Sequence, residues 1–279
     1  MTPEVTNAPA IVAGVDGSPA ASRAAVWAID EAISRDIPLR LVAVAESDAP
    51  EAAEAAERAA AAVRATGRPV RVQTEVVAGV PAQVLLRASV TAAMICVGAV
   101  GLRHFNRDRG GGDRVGSTAG ALAGSAHCPV AVVRDRDRPG AGWVVVELDD
   151  TPGAATVLQS GVTEARLRSA PLRVLGAWQS RHTDIHDADA VTEGNRMVRA
   201  QLDRRLSEWR HRYPDLDVRP VAVHGSMLGY LAEHAAEIGL VVVGARNTTG
   251  VGELFGPAGL AALNDTGCSV LVVDPQRLL

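Results

Sequence analysis

Lysine is missing altogether: all 28 basic residues of the 279-residue chain are arginine. That excludes Schiff-base chemistry, the lysine of a Walker loop and the strand lysine of a protein kinase. Any bound phosphate must be held by arginine, backbone amides or hydroxyls. Aromatic residues are scarce at 3%, while small aliphatic residues carry a hydrophobic content of 47%, the balance of an ordered globular protein built from close-packed helices and Val/Ile strands. The cysteines, Cys96, Cys128 and Cys268, form no C-x-x-C pair, and two of them precede apolar runs. Buried reduced thiols are therefore expected rather than disulfides or a zinc site. No apolar run approaches the ~20 residues that span a bilayer, and "MTPEVTNAPA" has neither a basic nor an apolar leader region. A cytoplasmic protein without membrane contact is expected. The net charge of -4 speaks against nucleic acid, whose phosphates call for clustered positive charge.

What is present is a repeat. "IVAGVDGSPAAS" from Ile11 matches "VVVELDDTPGAA" from Val144, and "RDIPLRLVAVAES" from Arg35 matches "RSAPLRVLGAWQS" from Arg168. "AAMICVGAV" from Ala92 matches "GLVVVGAR" from Gly239, and "GSAHCPVAVVRD" from Gly124 matches "NDTGCSVLVVD" from Asn264. Two domains of about 140 residues, each able to bury its own core, follow from the length and the duplication. The charged, then Pro/Gly-rich "RDRDRPGAG" from Arg134 to Gly142 places the linker, giving domains 1–138 and 139–279.

Within the first copy, strands are predicted at Ile11–Val15, Leu39–Ala45, Val70–Val77, Met94–Val97 and Val130–Val133. Helices are predicted at Ala20–Arg35, Ala52–Ala65, Pro81–Thr91 and Ser117–Ala126. The second copy follows the same order, with a long helix around Glu193–Arg212. Continuous rather than alternating apolar strands indicate a parallel sheet covered on both faces, an α/β fold. Such sheets bind ligands beyond the carboxyl ends of their strands, where the strand order reverses.

That rule directs attention to Asp16-Gly17-Ser18-Pro19 after the first strand and to the segment after Val97. Gly98 and Gly101 allow close backbone approach, Gly116 opens a helix with bare amides, and Ser117 and Thr118 add hydroxyls in its first turn, a cradle for phosphate. Simpler roles stand beside these: the glycines as turn residues, and Asp16 as an N-cap or Asx-turn residue.

These residues resemble the universal stress protein family, in its tandem actinobacterial form. Its ATP signature, G-x2-G-x9-G-[ST], is met by Gly98, Gly101, Gly116 and Ser117. The resemblance implies five-stranded parallel domains of adenine nucleotide alpha hydrolase type. It also implies a site in which adenosine lies between Asp16 and Val44, with ribose and phosphates over Val97, Gly98, Gly101, Gly116, Ser117 and Thr118. It implies an ATP-binding stress-response regulator, with or without Mg2+, that is no enzyme beyond weak ATP hydrolysis. Last strands Val130–Val133 and Val270–Val273 would pair across an intramolecular pseudo-twofold, with a homodimer and an unidentified regulatory protein as further partners.

Two departures stand out. Fourteen residues separate Gly101 from Gly116 where the signature has nine, and they carry Arg103, Arg107, Arg109 and Arg114 against Asp108 and Asp113. The arginines would reach the polyphosphate as bidentate forks, or the Gly110-Gly111-Gly112 insertion is a solvated loop. "GGDRVGST" matches a Walker loop only without its lysine. In the second copy Asp149 and Gly244 are kept, but Asn247 replaces the second glycine and Gly256-Pro257-Ala258 replaces Gly-Ser-Thr. Poor nucleotide binding and a structural or partner-binding role are expected there. "HTDIHDAD" from His182 could chelate a metal on a helix, or is a polar linker. His127 and His224 fit local hydrogen bonding. No G-x-S-x-G elbow or paired-glycine pyrophosphatase loop is present. A nucleotide-free scaffold and a cAMP binder remain the competing functions.

Overall fold

Five apolar runs of the first repeat become strands β1 (Ile11–Val15), β2 (Leu39–Ala45), β3 (Val72–Ala78), β4 (Met94–Gly98) and β5 (Val130–Val133). The computed structural model describes residues 8–45, 49–99, 116–134, 142–179, 188–245, 254, 259 and 267–274. Between the strands run helices α1 (Pro19–Ser34), α2 (Ala49–Ala65), α3 (Pro81–Ala88) and α4 (Ser117–Ser125). All pairings are parallel, and their order is β3-β2-β1-β4-β5. The chain steps outward from β1 to β3, then crosses back over β1 to lay down β4. The order therefore reverses between β1 and β4, and the carboxyl ends of those two strands flank the crevice.

Two glycines show that both faces of this sheet are covered. Gly14 faces α3: a Cβ there would lie 2.7 Å from Leu85 Cδ1 and 3.2 Å from Val97 Cγ1. Gly98, the next residue after Val97, points to the opposite face, where its Cβ would lie 2.7 Å from the carbonyl carbon of Ala20 in α1. Helices α1 and α2 pack together on one side, α3 and α4 on the other. Ile11, Leu39, Leu41, Met94 and Ile95 fill the space between and are fully buried.

The second repeat supplies the strands β6 (Trp143–Glu147), β7 (Leu172–Trp178), β8 (Val218–His224), β9 (Ile238–Gly244) and β10 (Ser269–Val273). Its order, β8-β7-β6-β9-β10, is again parallel throughout. The helices described are α5 (Ala154–Leu167), α6 (Ala188–Arg212) and α7 (Met227–Glu233). The chain divides into two compact units between Asp135 and Arg136. Duplication extends to detail. Buried Glu31 pairs with Arg35 at the end of α1 as buried Glu164 pairs with Arg168 at the end of α5. Each chain then reverses at a left-handed residue, Asp36 (φ 49°) or Ser169 (φ 50°).

Differences from the sequence expectation lie at element ends. α3 stops at Ala88 rather than Thr91, because Val90 and Thr91 donate to the carbonyls of Arg87 and Ala88 in tight i−3 turns. Ser89 is also engaged, its hydroxyl accepting from the His127 amide at 2.9 Å. β3 begins at Val72 and α6 at Ala188. Cys96, Cys128 and Cys268 are all buried, and none is in a disulfide among the described residues. Among the described residues no helix is long and apolar enough to cross a membrane.

Candidate functional site

Three residues turn β1 into α1 at the crevice. Asp16 is exposed and its Oδ1 accepts from the Ser18 amide at 3.0 Å, an Asx turn. Gly17 takes a left-handed conformation, with φ 83°, which glycine adopts without steric cost. Buried Ser18 is the N-cap: its hydroxyl accepts from Ala21 N at 3.1 Å, and Pro19 occupies the first helical position, where its missing donor is not needed.

Across the switch point, β4 ends at Gly98 and the Ala99 amide donates to Val133 O at 3.0 Å. The Gly116 amide donates back to Ala99 O at 2.8 Å, so α4 starts beside the strand end, with sixteen residues of chain between Ala99 and Gly116. Gly116 is the N-cap and receives no side-chain cap. Its own N–H is committed to Ala99, which leaves the amides of Ser117, Thr118 and Ala119 as first-turn donors without a partner among the described residues. Ser117 is exposed and Thr118 half-buried, so both hydroxyls lie in the same turn. This end of α4 carries partial positive charge.

Val15 pairs with Ala43, so Val44 is level with Asp16 at the same sheet edge and is half-buried. Val97 is a core residue, 5% exposed, directed at α3. Gly98 has a packing role of its own against Ala20. The crevice thus gathers Asp16, Val44, Gly98, Gly116, Ser117 and Thr118 along one edge. Gly101, and with it the arginines between Arg103 and Arg114, lies outside the described residues.

The second unit repeats the turn with different contacts. Asp149 Oδ1 accepts from the Thr151 amide at 3.0 Å and its hydroxyl at 2.6 Å. Arg205 of α6 then donates to Asp149 O at 3.0 Å and Asp150 Oδ1 at 3.3 Å, and Gln201 reaches Asp150 Oδ1 at 3.3 Å. At the end of β7, where β2 has Ala45, stands Trp178. Its indole N–H donates to Asn195 Oδ1 at 2.8 Å, its ring abuts Gly194, and His224 lies 4.7 Å away between ring centroids.

The family model described as the universal stress protein family matches residues 9–134 and 143–274, one match per repeat. The chain belongs to the universal stress protein family. The universal stress protein Rv2028c of Mycobacterium tuberculosis strain H37Rv is 45% identical, over 97% of this chain and 98% of that protein. The crystal structure of a universal stress protein from Archaeoglobus fulgidus superposes with a TM-score of 0.62 over 95% of this chain and 96% of that one, at 16% identity, a likeness of fold. A universal stress protein crystallised in complex with cAMP also matches, at 24% identity and a TM-score of 0.37, over 45% of this chain and 96% of that one.

In this tandem universal stress protein, the second-copy substitutions at Asn247 and at Gly256, Pro257 and Ala258 lie outside the described residues, as does "HTDIHDAD" up to Asp187. Among the described residues no three His, Cys, Asp or Glu side chains gather to hold a metal. Arg58 was missed by sequence reasoning. It sits in the alanine-rich α2, yet a Cβ at Gly17 would overlap one of its terminal nitrogens, which puts a guanidinium on the turn after β1. The signal available was the absence of lysine, which makes every arginine a candidate phosphate ligand.

Proposed function

We propose that the first unit binds an adenine nucleotide, ATP, at the carboxyl edge of its sheet, and that the protein acts in the stress response as a nucleotide-binding regulator. The observation that carries this reading is the start of α4, which no side chain among the described residues caps. Gly116 supplies no side-chain cap, the next three amides have no intrahelical acceptor, and they open at the switch point beside Gly98, opposite the Asx turn of Asp16. An anion completes such a helix end, and nothing in the chain's own first turn does. Asp16 and Val44, level with one another on adjacent strands, would flank the adenosine, with ribose and phosphates over Gly98, Gly116, Ser117 and Thr118.

Binding is proposed rather than catalysis, with slow hydrolysis as the most it would do. Among the described residues the carboxylate at this edge is Asp16, and it already accepts from Ser18, which lowers its value as a general base. For the second unit we propose a structural or partner-binding role, since Arg205 and Gln201 fill the space over its first turn.

Calorimetric titration of the whole chain with ATP tests the reading. Saturable binding is expected, weakened at least about tenfold in Gly116→Val, whose side chain would block approach to the helix end; circular dichroism checks that the variant is folded. Competition with cAMP ranks the two nucleotides. A wild-type chain that gives no binding heat at millimolar ATP would mean a nucleotide-free scaffold.

A further inference from the structure

The two units treat one arginine differently. In each, the helix that follows the second strand sends a guanidinium to the turn that follows the first strand: Arg58 from α2, Arg205 from α6. The turns align as Asp16-Gly17-Ser18 and Asp149-Asp150-Thr151. Arg205 is fully engaged there, donating to Asp149 O at 3.0 Å and ion-paired with Asp150 at 3.3 Å. Arg58 meets Gly17 instead of a carboxylate. Its terminal nitrogen occupies the place where a Gly17 Cβ would stand, with Ala55 Cβ also near. Its ion-pair partner is Glu54 of its own helix, at 3.5 Å, with side-chain exposures of 53% and 74%. A pair that long and that open to water holds the guanidinium weakly.

Resting on the nucleotide reading above, we propose that Arg58 is a phosphate-contacting residue of the first unit, supplying to the bound nucleotide the counter-charge that Asp150 neutralises internally in the second. The chemistry fits the chain. With no lysine present, a planar guanidinium is the cation available, and it can face two phosphate oxygens at once. Glycine at position 17 leaves room for the guanidinium against the turn, next to Asp16 and at the carboxyl edge of the sheet that β1 shares with β4. The Asp150 carboxylate in the second unit marks the position an anion takes in front of this arginine. Glu54 is the group a phosphate would displace, and at 3.5 Å it offers little resistance.

The test compares ATP with adenosine, the second measured by displacement of labelled ATP, on the intact chain and on Arg58→Gln and Arg58→Lys. Arg58 is solvent-facing on α2, so both variants are expected to fold. Arg58→Gln should weaken ATP about tenfold, the size of one charge-assisted contact, and leave adenosine unchanged. Arg58→Lys, keeping the charge without the fork, should fall between. If Arg58→Gln binds ATP as the wild type does, or loses ATP and adenosine in equal proportion, the assignment of Arg58 is wrong while the nucleotide site stands. A wild-type chain that binds neither compound brings down the site and this assignment together.

Discussion

Replacing Gly98 by alanine tests whether that glycine serves the crevice or the core. A Cβ there would lie 2.7, 2.8 and 2.9 Å from the carbonyl carbon, Cβ and carbonyl oxygen of Ala20. Carbon contacts are optimal at about 3.5–4.0 Å, so the first turn of α1 would have to retreat by close to 1 Å. Main-chain atoms capped by Ser18 cannot rotate aside as a side-chain end could. Overpacking of this kind costs about 1–3 kcal/mol, and the loss of glycine's unfolded-state freedom returns roughly 0.4–1 kcal/mol. A net destabilisation of about 1–2 kcal/mol is expected. The second unit supplies the control: among the described residues a Cβ on Gly244 would meet Val157 Cγ2, at 3.2 Å, a methyl that yields by a small rotation. Gly244→Ala should stay within about 0.5 kcal/mol of the parent. Two units need not unfold together, so the readout is amide exchange by mass spectrometry on peptides covering β1 and β4, against those covering β6 and β9. Faster exchange in β1 and β4 of Gly98→Ala is expected, with no matching change in Gly244→Ala. Equal effects in the two variants, or a stabilised Gly98→Ala, would refute the packing argument.

Acid and alkali should act at different places. At the foot of the second unit, Asp217 pairs with buried Arg173 at 3.1 Å and with Arg219 at 3.0 Å. Desolvation raises its pKa, but hydrogen bonds from Arg219 and Arg173 and their charges outweigh this and hold it below the ordinary carboxylate value. A depressed folded-state pKa gives stability that is present above the unfolded value, near 3.8, and lost as pH falls below it. The urea midpoint should therefore drop between pH 5 and pH 3 more gently in Asp217→Asn than in the parent, and parallel curves would contradict this. Cys128 behaves oppositely. Burial pushes its thiol up from 9.0 to about 12 against a lowering backbone hydrogen bond with Ile95, so the protonated native state gains stability that is intact below pH 9 and lost as pH climbs toward 12. Native chain at pH 8 should not react with a disulfide reagent at Cys128, whereas urea should release all three thiols; prompt native reaction at Cys128 would show the site to be open.

Much of the fold was legible because its signals are local. Uninterrupted runs such as Ile11–Val15 and Val130–Val133 announce strands buried on both faces, and Ser18-Pro19 announces a helix start. The Asx turn at Asp16 follows from the same few residues. Contacts between distant segments were not legible. Gly98 reads equally well as a ligand-facing or a packing residue until α1 is seen crossing β4, some eighty positions away in the chain. Arg58 is one charge in an alanine-rich helix, and only the rotation of α2 on β2 and β3 decides that it points at Gly17. The early end of α3 lies in the tight turns of Val90 and Thr91, and Ser89 beside them accepts from His127, a partner outside its neighbourhood. At Gly116 the sequence indicates bare amides, yet its own N–H is used by Ala99, and the donors left over begin one residue later.

The hydrogen bond from Gly116 to Ala99, at 2.8 Å, fixes where α4 begins relative to the end of β4, however much chain is strung between those two points. A segment whose ends are tied together passes none of its length on to the neighbours of the knot. Growing from eleven to sixteen residues between the tied points costs about 0.3 kcal/mol of ring-closure entropy by the (3/2)RT ln n rule. Spacing in this part of the chain is therefore free to drift over generations, and a pattern that counts residues there would reject relatives whose strand end and helix start are unmoved.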